Sequence, residues 1–235
     1  AVTIEDALAA KTRDVGDPYQ FLRRDLAKAI ALARHSVSES FRIGGQEHFY
    51  LEGQVSLAVP EEHGAVTVHC STQHPSEVQH LVAHMLHVQA SMVTVECRRM
   101  GGAFGGKESQ AAQWACLAAL AACLLGRPAK CRLDRDEDMM LTGKRHDFRV
   151  DYTAGFDTKG RVTAVDVDFL ARCGYSADLS NAICDRTMFH ADNAYFYPSA
   201  RIATRRLRTN TVSNTAFRGF GGPQGMLFAE RLMEV

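Results

Sequence analysis

Hydrophobic and polar positions change rhythm several times along the chain, and each change marks an element. From Ser38 the apolar residues alternate, as Phe41 and Ile43 and then Phe49, Leu51, Val55, Leu57 and Val59. The run stops at Pro60-Glu61-Glu62-His63-Gly64, and Ala65 to Cys70 (AVTVHC) resumes it. Period-two spacing predicts strands. Ser76 to Val88 (SEVQHLVAHMLHV) follows another period: at about 100° per residue Val78, Leu81, Val82, Met85 and Leu86 gather on one side, an amphipathic helix whose first turn Pro75 sets. Met92 to Arg99 is predicted as a strand through Val93, Val95 and Cys97. Ser109 to Leu125 is apolar all round, which predicts a buried helix, stopped by Gly126 and Pro128. Lys130 to Asp134, Phe148 to Ala154, Val162 to Cys173 and Ala200 to Arg208 are expected strands, and Arg135 to Arg145 a charged loop. Val2 to Ala33 is helical or loop-like around the breaker Asp14 to Pro18 (DVGDP). Gln224 to Val235 has helical spacing and stops uncapped, which suggests a chain cut from a longer polypeptide. This irregular succession predicts an α+β fold with mostly antiparallel sheets, packed helices and no internal repeat. Residues 1–37 are expected to be a lead-in and 38–235 the first part of a domain truncated at its C-terminus.

Composition narrows the function classes. The 235 residues carry 27 Lys and Arg against 27 Asp and Glu and are 46% hydrophobic, the profile of a globular domain. Zero net charge argues against nucleic acid or a membrane surface as partner, since both require a cationic excess. The longest nearly apolar run, Ala111 to Leu125, falls short of the roughly 18 residues that span a bilayer. No signal peptide pattern opens the chain. Seven cysteines, an odd number without a CxxC pair, read as buried thiols of a reducing compartment, and cytoplasm is the expected location.

Three features carry candidate chemistry. His80, His84 and His87 share a helix face at metal-ligand spacing, but that face lies opposite the apolar stripe and is expected to meet water. Gly101-Gly102-Ala103-Phe104-Gly105-Gly106-Lys107-Glu108 contains the GxxxxGK part of a phosphate-binding loop, yet Glu108 replaces the Ser or Thr that holds magnesium and brings a second anion instead. Its glycines are expected to expose main-chain N–H groups at a helix N-terminus, where a polarised oxygen is favoured; the plainer alternative is a tight turn. Asn214-Thr215-Ala216-Phe217-Arg218-Gly219-Phe220-Gly221-Gly222-Pro223-Gln224 sets Arg218 between two rings and three glycines, a fork of donors for an oxyanion beside faces for a planar ligand. Arg201, Arg205, Arg206 and Arg208 are read as a solvent-facing strand edge.

These two loops, with Gly44-Gly45-Gln46-Glu47-His48-Phe49-Tyr50-Leu51-Glu52, Ser71-Thr72-Gln73, Asp185-Arg186 and Arg208-Thr209-Asn210, closely resemble the molybdenum-binding part of xanthine dehydrogenases. The resemblance runs from about Ser38 to Val235. Each motif alone is weak, but their order is specific to the molybdenum hydroxylases, which also include aldehyde oxidases and carbon monoxide dehydrogenases. It implies molybdenum held by a molybdopterin dithiolene with no protein ligand, surrounded by Gln73, Phe104 and Arg218. Gln73 would approach the oxo ligand, Phe104 and Gly105 would present backbone, and Arg218 would line the cofactor. Catalytic and substrate-binding roles fall on Glu108, against a purine ring nitrogen, and Arg186, stabilising charge that builds on the ring; Phe220 would pack against the ring. The implied reaction takes hypoxanthine or xanthine to urate by transfer of a molybdenum-bound oxygen to a purine carbon and hydride to a sulfido ligand. Electrons would then leave through 2Fe-2S centres and FAD to NAD, all in other parts of an oligomeric enzyme.

The family's glutamate base lies downstream of Phe220, so the 235 residues alone are expected to be inactive, holding an incomplete cofactor site. Their implied partners are the remainder of the molybdenum-binding subunit and the iron–sulfur and FAD subunit or domain. Glu108 with Arg186 resembles the purine-oxidising branch, while Ala182 to Arg186 (AICDR) lacks the cysteine motif of carbon monoxide dehydrogenases. Ala103 stands where most relatives have glycine, tolerable if its φ is negative. An aldehyde or other N-heterocycle hydroxylase, or a catalytically incomplete cofactor-binding remnant, remain as alternatives.

Overall fold

The computed structural model describes residues 1–235, folded as two compact units that are each discontinuous in sequence. The first comprises Ala1–Gln46, Arg145–Asn214 and Gly219–Val235; the second comprises Glu47–Lys144 and Thr215–Arg218.

The first unit is built on a five-stranded sheet with β1 (Tyr19–Arg23), β2 (His35–Ile43), β7 (Phe148–Phe156), β8 (Val162–Gly174) and β9 (Ser199–Arg208) in the order β1-β9-β8-β7-β2. Every pair is antiparallel except β8 with β9. A parallel pair needs a crossover, which passes here through α6 (Ser180–Phe189). Phe148, Val150, Tyr152, Val167 and Phe169 alternate toward one face, where Met188 of α6 and Phe228 and Leu232 of α7 (Gly222–Met233) complete the core. Leu170 and Leu207 form a separate cluster with Ile4 and Ala7 of α1 (Ile4–Ala9). A further short helix, α2 (Leu26–Ala31), follows β1.

The second unit has a four-stranded sheet of β3 (Val55–Pro60), β4 (Val66–Cys70), β5 (Val93–Glu96) and β6 (Ala129–Arg132), ordered β5-β4-β3-β6. Only β4 and β5 are parallel, joined through α3 (Pro75–Leu86). Helices α3 and α4 (Ala111–Leu125) share a core with this sheet, built from Val66, Val68, Val78 and Val82 and from Ala111, Ala115, Ala118, Ala119 and Ala122. The architecture is the expected α+β mixture, with one parallel pair in each sheet.

Several expectations are corrected. Helix α4 is not buried all round: its alanines face the sheet, while Leu117, Leu120, Leu124 and Leu125 are exposed, Leu124 by 76%. Small side chains let the helix axis approach the sheet closely, so the apolar content alone does not fix which way the helix turns. Phe49 and Leu51 are not strand residues but are exposed in a loop where His48, Tyr50 and Gln54 are buried, and Phe49 has a positive φ. The segment Arg135 to Arg145 is not all loop. It contains α5 (Arg135–Leu141), started by a capping box in which Asp134 accepts from Glu137 N–H and the Glu137 carboxylate accepts from Asp134 N–H. Within Val2 to Ala33, Tyr19–Arg23 is a strand, an edge strand whose mostly exposed residues carry no period-two signal. Strand β9 is interior to its sheet, and of its arginines only Arg208 is exposed as expected: Arg206 is buried against Asp185, Arg201 pairs with Asp166 and Asp168, and Arg205 pairs with Asp14. All seven cysteines are free, but only Cys70, Cys173 and Cys184 are buried, and Cys123 is exposed.

Candidate cofactor and substrate site

In the second unit, the glycine-rich segment leaves β5, turns through Gly101 to Gln110, and enters α4 at Ala111. Its N–H groups are not held out at a helix N-terminus. Gly105 and Lys107 donate theirs to Gln73 Oε1 at 3.0 and 3.3 Å, Gly106 to the Ala103 carbonyl, and Glu108 to the Gly105 carbonyl. In return Gln73 N–H donates to the Lys107 carbonyl at 2.9 Å, and Thr72 Oγ1 donates to that same oxygen. The carbonyl end of the Gln73 amide is thus committed to the loop. Its NH2 end is the donor left to meet a ligand.

Two glycines are required by close approach. Gly105 has φ +103°, and a Cβ there would stand 2.7 Å from the Ala216 carbonyl carbon; one on Gly106 would stand 2.8 Å from the His48 ring. The segment Thr215–Arg218 is thereby pressed on the loop, with Arg218 N–H donating to the Phe104 carbonyl at 2.9 Å and His48 Nε2 bonded to the Ala216 carbonyl at 2.6 Å. The His48 ring lies between those of Tyr50 and Phe217. Phe104 is half exposed at φ +53°, a strained backbone for a residue with a side chain, and the Arg218 side chain is exposed. Ala103 is buried and is not among the positive-φ residues, so its methyl is accommodated.

Beneath the loop lies a buried polar network that no local pattern announced. Asp138 of α5 accepts from Tyr50 O–H and Gln54 N–H, each at 2.6 Å, and Gln54 Nε2 donates to the Gly106 carbonyl at 2.9 Å. Burial, and then the Asp138 carboxylate, push the Tyr50 phenol well above its ordinary pKa. The Lys107 side chain is 0% exposed; Nζ donates to the Glu52 carbonyl at 2.8 Å and to Ser71 Oγ at 2.9 Å, and lies 4.8 Å from the Tyr50 ring centroid. Burial lowers its pKa, with the Glu52 carboxylate opposing the shift.

In the first unit, Arg186 and Phe220 belong to elements locked together. Gly221 at φ +85° leaves no room for a Cβ, which would overlap the Ile183 carbonyl oxygen of α6. Thr187 O–H lies 2.9 Å from the Ile183 carbonyl and 3.0 Å from that of Gly221. Arg186, one residue before Thr187, projects an exposed side chain, and Phe220, one residue before Gly221, is half-buried at φ +50°. The fold therefore brings Gln73, Phe104, Gly105, Glu108 and Arg218 together in one unit, and Arg186 with Phe220 in the other. His80, His84 and His87 are exposed, and no group of three His, Cys, Asp or Glu side chains is arranged to hold a metal. What the loop offers a ligand is the exposed Gln73 amide NH2 and the exposed Arg218 guanidinium, donors to oxygens rather than ligands for a metal ion.

Comparison with known proteins agrees with this geometry. A family described as molybdopterin cofactor-binding domain matches residues 10–235. Xanthine dehydrogenase of Drosophila subobscura is 46% identical over 232 residues, and xanthine dehydrogenase/oxidase of Felis catus is 46% identical over 233, in each case across 99% of this chain and 17% of the relative. The chain thus spans about a sixth of the length of these relatives. Among solved structures, the aldehyde oxidoreductase of Desulfovibrio desulfuricans superposes with a TM-score of 0.91 at 22% identity, covering 99% of this chain and 27% of that one. Quinoline 2-oxidoreductase of Pseudomonas putida 86 does so with 0.83 at 23%, covering 94% and 29%. A matching family profile over nearly the whole length, and close to half of all residues shared with xanthine dehydrogenases, place the chain plainly: it belongs to the molybdopterin cofactor-binding domain family of the molybdenum hydroxylases.

Proposed function

We propose that this chain forms part of a xanthine dehydrogenase that oxidises hypoxanthine and xanthine to urate, providing one wall of the cofactor site and the residues that recognise the purine. The observation that carries this reading is the Gln73 amide, oriented by Gly105 and Lys107 N–H beside Glu108. When bound, the molybdenum cofactor supplies the oxygen transferred to the ring and accepts two electrons. Gln73 donates from its NH2 end to a cofactor oxygen, and the exposed Arg218 lines the same side. Glu108 accepts a hydrogen bond from a ring N–H and fixes which ring carbon is presented. Arg186, as a planar cation, stabilises the negative charge that develops on the ring during attack, and the Phe220 ring holds the heterocycle flat. The remainder of an oligomeric cytoplasmic enzyme would hold the iron–sulfur and flavin groups that supply the electron path to NAD.

Glu108→Ala in the intact enzyme tests the assignment. The expected loss in kcat/KM is about a hundredfold for xanthine and only a few-fold for an aldehyde, because a pocket built for a ring N–H is selective against substrates without one. A second reading, an aldehyde or N-heterocycle hydroxylase, draws on the shared fold of the aldehyde and quinoline oxidoreductases. Equal losses on both substrates favour it.

A further inference from the structure

Lys107 does more than its neighbours in the glycine-rich loop require. A lysine side chain with no exposed surface is costly unless each of its N–H groups is met, and an apolar side chain of the same length would fill the same space without that cost. Here the ammonium is met on several sides: the Glu52 carbonyl and Ser71 Oγ accept from it, the Tyr50 ring faces it, and a Glu52 carboxylate oxygen lies 3.8 Å away. Tyr50 is itself fixed by Asp138. The cage is therefore rigid, and the backbone of Lys107 is anchored through it.

That backbone is also the one that holds Gln73. Lys107 N–H donates to Gln73 Oε1, and the Lys107 carbonyl accepts both Gln73 N–H and Thr72 O–H. Ser71, Thr72 and Gln73 are consecutive, so the ammonium grips one end of the tripeptide through Ser71 while the main chain grips the other. We propose that Lys107 is a positioning residue: its caged ammonium fixes the main-chain clamp that orients the Gln73 amide toward the cofactor and sets the starting point of Glu108. The proposal rests on the reading above that Gln73 faces the cofactor. With no exposed surface, the side chain of Lys107 acts through Gln73 rather than on a ligand itself.

The test uses Lys107→Met in the intact protein, which keeps an unbranched stem and removes the charge, together with Ser71→Ala, which removes one acceptor and almost no volume. The amides of Gly105 and of position 107 are expected to exchange with deuterium about tenfold faster in Lys107→Met and about threefold faster in Ser71→Ala. In xanthine oxidation, kcat is expected to fall about tenfold in Lys107→Met with KM held within about twofold, because a misplaced donor weakens the transition state more than binding. If Lys107→Met does not fold, Ser71→Ala decides alone. Protection of both amides within about twofold of wild type, or KM rising in step with the fall in kcat, overturns the proposal. Wild-type enzyme that carries no molybdenum sinks the functional reading instead, and the exchange measurement still decides the clamp.

Discussion

The two clusters of candidate residues are held by different means. Around Gln73 and Phe104 the backbone is fixed by buried polar groups, with Asp138, Tyr50, Gln54 and Lys107 each spending donors or acceptors on the loop or its supports. Around Arg186 and Phe220 the fixing is by contact: Gly221 and Gly225 carry no side chain where α6 meets α7, and one hydroxyl, that of Thr187, spans the join. A buried network positions a loop with angular precision but depends on every member. Close helix packing tolerates chemistry on its outer surface, which is where Arg186 is displayed.

Substitutions can break each arrangement, and the largest effects belong to the glycines. Gly221→Ala forces a methyl against a carbonyl oxygen at a positive φ, as Gly105→Ala does against Ala216, and each is expected to cost upward of about 3 kcal/mol in denaturant unfolding. Asp138→Ala comes next, at about 3 kcal/mol, because it leaves Tyr50 O–H and Gln54 N–H buried without an acceptor; on this comparison it also lowers molybdenum content while leaving the Arg186 cluster intact. Thr187→Val removes one hydroxyl and keeps the shape, and a loss of about 1 kcal/mol is expected by thermal unfolding.

A pH titration sharpens the contrast. Burial pushes the Cys70 thiol up from 9.0 to about 11, so above pH 9 the unfolded chain loses this proton before the folded one. Stability then falls as pH rises from 9 toward 11, by at most about 1.4 kcal/mol per unit from this group. Lys107, with a lowered pKa, works in the opposite direction over the window that ends at 10.5. Cys70→Ala is expected to flatten the decline, which equilibrium unfolding at a series of alkaline pH values measures directly. The smallest effect is assigned to Leu124→Glu on the outer face of α4, within about 0.5 kcal/mol of wild type.

Much of the frame was legible in sequence because its periods are regular. Helix α3 follows the 100° arithmetic, with Val78 and Val82 buried and the three histidines outside, although Leu81 of the same stripe is largely exposed. Helix α4 was legible as a helix but not in its orientation, since leucine and alanine register alike as apolar. Helix α5 was illegible for a physical reason: its one buried residue is Asp138, so hydrophobic spacing is blind to it. The loop around Phe49 inverts the rule, with Phe49 and Leu51 exposed and His48 and Gln54 inside. Gln73, Phe104, Gly105 and Arg218 could be named through the order of their motifs alone. The contacts that orient them come from residues about 30 or more positions away, such as Lys107 for Gln73 and Ala216 for Gly105, and no local window contains both partners.

The discontinuity of the second unit has a consequence in time. Its main segment is complete at Lys144, but Thr215–Arg218, against which Gly105 and His48 pack, emerges about seventy residues later. At ribosomal rates on the order of 5 to 20 residues per second, the glycine-rich loop waits roughly 4 to 14 seconds for its lid. During that interval the half-formed cradle is open, and slowing translation between Arg145 and Asn214 would lengthen the period in which a nascent chain is exposed to chaperones and proteases.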